Sequence, residues 1–317
     1  MAERLIELGP EEMWSDFHEE VNKLLHEEKA ARHENDANRL TDLCKRIITM
    51  AFEAKEYVRL NEFIIMLTKR RGQSKKAVQE MVQLCMDEFF DKLTREEKLT
   101  LVQTCRDATE GKFFAEVEYA KCTRIFAEMK EEDGLMKEAA EAVLEVQVET
   151  YGSMKKEEKL DYILYQMWIV LDLEDYVRTQ IISKKVNRKN LNDEGFEELK
   201  VRYYELAIKY YIHEKEFLES AKSFQIIYDT IVSDKENKYN FSQDQKVSSF
   251  TNFVCFLLFS PYNNETVDLL NHVIKSYRRE LSEHPILEKY VWKFLVNELI
   301  PLEEDKKKAE LGHFFPF

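Results

Sequence analysis

The chain has 317 residues, 34% charged and 44% hydrophobic, with only seven glycines and five prolines. Its formal net charge of −14 argues against nucleic acid as a partner, because neutralising phosphates supplies most non-specific affinity. No run approaches the length of a membrane span, residues 250–259 being interrupted by Thr251 and Asn252, and the first residues do not read as a secretory signal, so a soluble intracellular chain with no membrane partner is expected.

Residues 11–38 read as a charged helix with Trp14, Phe17, Val21 and Leu24 along its apolar edge. His18, His26 and His33 share that segment, each flanked by Glu or Lys. No cysteine is near, and more than a helical turn separates the rings, so the segment reads as a solvated face with no metal.

Beyond this helix the chain acquires a rhythm. The second helices of successive hairpins are expected to begin near residues 55, 95, 135, 174 and 215. Lys55-Glu56-Tyr57-Val58-Arg59 returns as Glu174-Asp175-Tyr176-Val177-Arg178, and Lys215-Glu216-Phe217-Leu218-Glu219 has the same character. Each string offers acidic residues suited to a helix N-terminus, then an aromatic, then apolar positions at helical spacing. A fixed period of this size marks stacked supersecondary units, and here it exceeds the roughly 34 residues of a tetratricopeptide (TPR) repeat. The predicted fold is therefore all-α: a right-handed superhelical solenoid of TPR-like helical hairpins, undivided by any linker rich in Pro, Gly or Ser.

In residues 139–185 the pattern predicts a helix ending at Gly152, where positive φ would close the last turn. A second helix carries Leu160, Ile163, Leu164, Met167, Trp168 and Leu171. A third, around Val177, Ile181 and Ile182, packs back on it. Further on, Leu199, Tyr203, Leu206, Ala207 and Tyr210 form one stripe and Phe217, Ala221, Phe224 and Tyr228 the facing one. The expected buried set includes Leu164, Met167, Trp168, Ile181, Tyr203, Phe217, Phe224 and Tyr228. Asp133-Gly134 reads as a turn between helices, and 153–156, 187–195 and 233–240 as loops. Strand signals are weak throughout.

No catalytic template appears. The glycines form neither a Walker loop nor a dinucleotide fingerprint, and there is no His-Glu-x-x-His or Gly-x-Ser-x-Gly string. The acidic run 131–133 reads as solvated. Cys44, Cys85, Cys105, Cys122 and Cys255 are odd in number and lack Cys-x-x-Cys spacing, so they read as small hydrophobes with the reduced thiols of cytosol or nucleus. No catalytic residue, metal ligand or cofactor is expected. Two basic clusters stand out: Lys184, Lys185, Arg188 and Lys189, and Lys69-Arg70-Arg71 with Lys75-Lys76. Each falls at or just after a predicted helix end, where cations offset the helix dipole. The alternative is a protein-docking patch, and the first cluster is the candidate interaction site.

Gln147-Val148-Glu149-Thr150-Tyr151-Gly152-Ser153-Met154 and Arg178-Thr179-Gln180-Ile181-Ile182-Ser183-Lys184-Lys185 closely resemble strings of one family, the non-ATPase regulatory subunit 12 family of the 26S proteasome, PCI-type subunits of the regulatory-particle lid. Thr109-Glu110-Gly111-Lys112, Glu116-Val117-Glu118, Ile227-Tyr228-Asp229-Thr230, residues 260–265 and 268–270 extend the similarity. Tyr119-Ala120-Lys121 departs from it, standing where the family usually has an Arg-rich string. The resemblance implies three parts: 1–54, N-terminal helices that match weakly; 55–302, the TPR-like solenoid; and 303–317, a tail without counterpart where the family continues into a PCI winged helix. That tail is expected to mark a fragment, a truncated product or a diverged end, with Phe314, Phe315 and Phe317 as candidates to cover the last repeat. The resemblance further implies a non-enzymatic scaffold of cytoplasm and nucleus, whose partners are other lid subunits and the ATPase ring or core particle. Two alternatives stand beside it: the equivalent PCI-type subunit of the signalosome, and a free TPR-like adaptor. The adaptor predicts a periodic row of basic or Asn residues along a groove, which the sequence does not display.

Overall fold

With so few glycines and prolines, long stretches have nothing to break a helix, and every regular element among the described residues is helical. The computed structural model describes residues 13–236 and 238–298. The Trp14 side chain and the 303–317 tail, with Phe314, Phe315 and Phe317, lie outside the described residues.

Two compact units divide at Lys155. In the first, α1 (Met13–Glu34), α2 (Ala37–Glu53), α3 (Tyr57–Lys69), α4 (Lys75–Leu84), α5 (Arg95–Thr109), α6 (Glu116–Glu132) and α7 (Met136–Leu144) follow one another. The second holds α8 (Lys156–Asp172), α9 (Tyr176–Ser183), α10 (Glu197–His213), α11 (Phe217–Ser233), α12 (Gln243–Phe259), α13 (Asn264–Ser276), α14 (Arg278–Ser282) and α15 (Pro285–Leu295). Within each unit helices pack mainly on near neighbours in sequence, as α5 does on α6, α6 on α7, α10 on α11 and α11 on α12. Nearest-neighbour stacking is how a helical repeat builds its core. The second helices begin at Tyr57, Arg95, Met136, Tyr176 and Phe217, within two residues of the expected places.

The turns explain the rhythm. Lys55 (φ 60°), Gly134 (φ 75°), Glu174 (φ 58°) and Lys215 (φ 60°) all sit in the left-handed region. After each, the next N–H donates to a carbonyl five residues earlier: Glu56 to Ala51 at 2.9 Å, Leu135 to Lys130 at 2.8 Å, Asp175 to Val170 at 2.9 Å and Glu216 to Tyr211 at 2.8 Å. This is the Schellman closure of a helix C-terminus. The chain then re-enters a helix at once; at α9 the Asp175 carboxylate caps it by accepting from the Arg178 N–H at 2.9 Å. The α4–α5 connection differs. A π-turn, Cys85–Phe89, runs into a 3₁₀ turn, Phe90–Lys92, and a capping box between Thr94 and Glu97 starts α5.

Two expectations are corrected. Gly152 does not end a helix at positive φ; α7 stops at Leu144 and a 3₁₀ turn, Val148–Thr150, follows. The β-branched residues there disfavour helix, Val146 and Val148 are drawn into the core, and the Thr150 hydroxyl donates to the Gln147 carbonyl at 2.8 Å. Ile181 is not buried but 55% exposed, beside Val177 at 73%. The short helix α9 turns Thr179 and Ile182 inward instead. Leu164, Met167, Tyr203 and Tyr228 are buried as expected, whereas Trp168, Phe217 and Phe224 are half-buried.

A buried carboxylate ties the first unit together. Glu28 of α1 is fully enclosed, 3.3 Å from Arg32 Nε and paired with Arg70 from the end of α3. Gln73 Nε2 donates to it at 3.4 Å. Such a charge is tolerated inside a protein when its lone pairs are met, and removing a partner strands it. All five cysteines are free and buried. Burial, and then the neighbouring Glu28 charge, pushes the Cys44 thiol up to about 12.

The turn geometry makes opposite substitutions informative. Gly134→Ala should destabilise the chain by about 1 kcal/mol, and Lys215→Gly should stabilise it by a similar or smaller amount, because a Cβ opposes the left-handed conformation. Chemical denaturation of the two variants checks both signs.

Candidate interaction surface

The segment after α9 is held by apolar anchors at Val186 and Leu191, both buried. Between them the predicted cations take different roles. Lys184 is the C-cap of α9 and exposed, as is Lys189, whose backbone N–H donates to Asn187 Oδ1 at 3.1 Å. Lys185 is half-buried. Arg188 reaches back to α10, where its Nη2 donates to the Tyr211 hydroxyl at 3.4 Å. The nearby Tyr203 hydroxyl, and then the Tyr211 hydroxyl it bonds, hold its pKa above the usual value. Lys184 and Lys189 are thus presented to solvent, while Arg188 also fastens the segment to α10.

Val177, Ile181 and Lys184 follow at spacings of four and three, which places them along one face of α9 and its C-cap. The surface is therefore an exposed apolar stripe leading into cations. The sequence reading gave the cations and assigned Ile181 to the core. Val58, the repeat counterpart of Val177, is also 73% exposed, so the echoed valine marks a solvent-facing position in both strings.

Nearby, Trp168 stacks on Tyr165 with ring centroids 5.7 Å apart. It lines a cleft of about 230 Å³ with Leu171, Asp172, Glu174, Tyr176 and Lys209. Tyr176 stacks on His213 at 3.4 Å, and His213 Nδ1 lies 2.9 Å from Glu214, at the hairpin turn. Elsewhere, His18 packs edge-on against Phe17, while His26 and His33 are exposed. Among the described residues no group of three His, Cys, Asp or Glu side chains is arranged to hold a metal ion. Glu132 and Asp133 of the acidic run pair with Arg95 at 2.6 and 2.7 Å. No helix among the described residues is long and apolar enough to cross a membrane.

Consecutive helical hairpins stacked on their neighbours define a helical-repeat protein. The chain belongs to the PSMD12/CSN4 N-terminal family, whose model matches residues 19–236. It is 35% identical over 306 residues to 26S proteasome non-ATPase regulatory subunit 12 homolog B of Arabidopsis thaliana, covering 89% of this chain and 66% of that protein. It is 33% identical to the 26S proteasome non-ATPase regulatory subunit 12 of Dictyostelium discoideum, covering 86% and 62%. Against the 26S proteasome regulatory subunit RPN5 of Saccharomyces cerevisiae the identity is 32%, covering 90% and 63%. The chain thus spans just under two thirds of the length of these curated relatives.

The two faces of α9 can be told apart by substitution. Ile181→Ser should change stability by less than about 0.5 kcal/mol. Ile182→Ala should cost about 2–4 kcal/mol through lost burial and a cavity. Thermal or denaturant unfolding measures both, and equal costs would contradict the orientation of α9.

Proposed function

We propose that this chain is a non-enzymatic scaffold subunit of the proteasome regulatory-particle lid, supporting lid assembly and, through it, ubiquitin-dependent protein degradation. The observation that carries this reading is similarity over about nine-tenths of the chain to proteins named as 26S proteasome regulatory subunits. The fold supports it, since stacked hairpins expose a large, shaped surface for their size. On this reading its partners are other lid subunits and the ATPase ring or core particle, in cytoplasm and nucleus. The relatives' names favour the proteasome over the signalosome alternative. Within the scaffold, Val177 and Ile181 supply an apolar centre, and Lys184, Lys185, Arg188 and Lys189 a cationic rim, for an acidic neighbour.

Co-sedimentation of tagged chain with regulatory particles depleted of their own subunit 12 tests this reading. The chain should co-sediment, and more completely when fused to the C-terminal third of a relative. Lys184→Glu with Lys189→Glu should slow association, more at low salt than at high. Failure of both versions to co-sediment would contradict the scaffold reading. Association untouched by charge reversal at every ionic strength would return the basic segment to helix capping.

A further inference from the structure

The first unit carries another cationic surface, where the α3–α4 and α5–α6 connections meet. Lys69 ends α3, Arg71 lies in the turn, Lys75 opens α4, and Lys112 precedes the 3₁₀ turn Phe113–Ala115. The two connections are in contact: Lys75 Nζ lies over the Phe114 ring at 5.8 Å, and Gln79 Nε2 donates to the Phe114 carbonyl at 2.5 Å. Lys112 Nζ donates to the Ala108 carbonyl. Burial, and then the charge of Lys69, hold its pKa below the usual lysine value, which places Lys69 within electrostatic reach.

These cations are poorly compensated. Arg70, in the same run, is taken up by buried Glu28. Lys69, Arg71 and Lys75 are exposed and make no ion pair with a carboxylate of the described residues, and Glu110, at the end of α5, is an exposed acid in the α5–α6 turn. Such a cluster is unexpected on a chain of net charge −14, because abundant carboxylates were available to neutralise it. Next to Lys112 stands Phe113, 86% exposed, the most exposed of the large apolar side chains among the described residues. Its neighbour Phe114 turns inward against the core of the unit. Exposed aromatic side chains and arginines are residue types enriched where proteins dock.

We propose that this surface docks an acidic, amphipathic peptide segment of a partner protein, its carboxylates meeting Lys69, Arg71, Lys75 and Lys112 while Phe113 enters its apolar face. The proposal stands apart from the lid reading and does not depend on it. A protein segment is favoured over nucleic acid because the overall negative field repels a long polyanion. A short acidic segment stays within about a Debye length, ~10 Å at 0.1 M salt, of the local cations.

Fluorescence anisotropy of the full chain tests it, with a labelled amphipathic helix of glutamate and leucine as the probe. Polyglutamate, phosphatidylserine vesicles and single-stranded DNA serve as comparisons. The amphipathic peptide should bind most tightly, with affinity falling as salt rises. Phe113→Ala should weaken it about tenfold. Lys69→Glu with Lys75→Glu should remove most of the salt dependence. These side chains are exposed, and unaltered thermal melting would show that the variants remain folded. No binding of the peptide would overturn the proposal, as would equal binding by the variants, or tighter binding of polyglutamate, vesicles or DNA. None of those results would alter co-sedimentation with regulatory particles.

Discussion

Five of the described helix pairs, α1–α2 with Asn35 (φ 55°) among them, close through the same backbone hydrogen bond, from the residue after a left-handed position to a carbonyl five residues back. That bond satisfies carbonyls which a helix end would otherwise leave open, and it reverses the chain within two residues. With the reversal fixed, the following helix lies against the one before it, and the spacing of apolar residues decides which faces meet. At Lys55, Glu174 and Lys215 this geometry is adopted by a residue with a Cβ, against its local preference. Tertiary packing of the two helices is what holds it there. The core, the repeat and the exposed faces depend on these turns.

Charge is distributed on a second principle. The chain is strongly acidic overall, yet its cations gather where helices end, at Lys69–Lys75 and Lys184–Lys189. Two members of those runs are structural: Arg70 meets buried Glu28, and Arg188 reaches Tyr211. Other members, such as Lys75 and Lys184, face solvent beside exposed apolar residues. A helix-dipole account covers their position along the helix, but it supplies no reason for Phe113, Val177 and Ile181 to stand uncovered. The proposed contacts with other proteins supply one.

The fold was largely readable because the turns have sequence echoes. Lys55-Glu56-Tyr57 and Glu174-Asp175-Tyr176 share a backbone geometry, and their period placed helix starts to within two residues. The side facing inward was less readable on the shortest helices. In α9 the pairs 177/181 and 179/182 both fit a helical face, and only the neighbouring helices select the second. Gly152 misled for a related reason: a permissive residue was available, but buried Val146 and Val148 had already ended the helix. Glu28 was hidden among surface-like charges, since its partner Arg70 is 42 residues away in sequence. Of the candidate site, the cations were legible as a charge run, while the apolar stripe beside them required the orientation of α9.

Amide hydrogen exchange at the turns addresses the central claim most directly. Glu56, Leu135, Asp175 and Glu216 lie between helices, where an open loop would exchange freely. Their bonds to Ala51, Lys130, Val170 and Tyr211 predict protection comparable to the flanking helix interiors. Exchange of these four amides at the rate of unstructured chain, with the helices still protected, would contradict the account of the repeat as hairpins closed by left-handed turns.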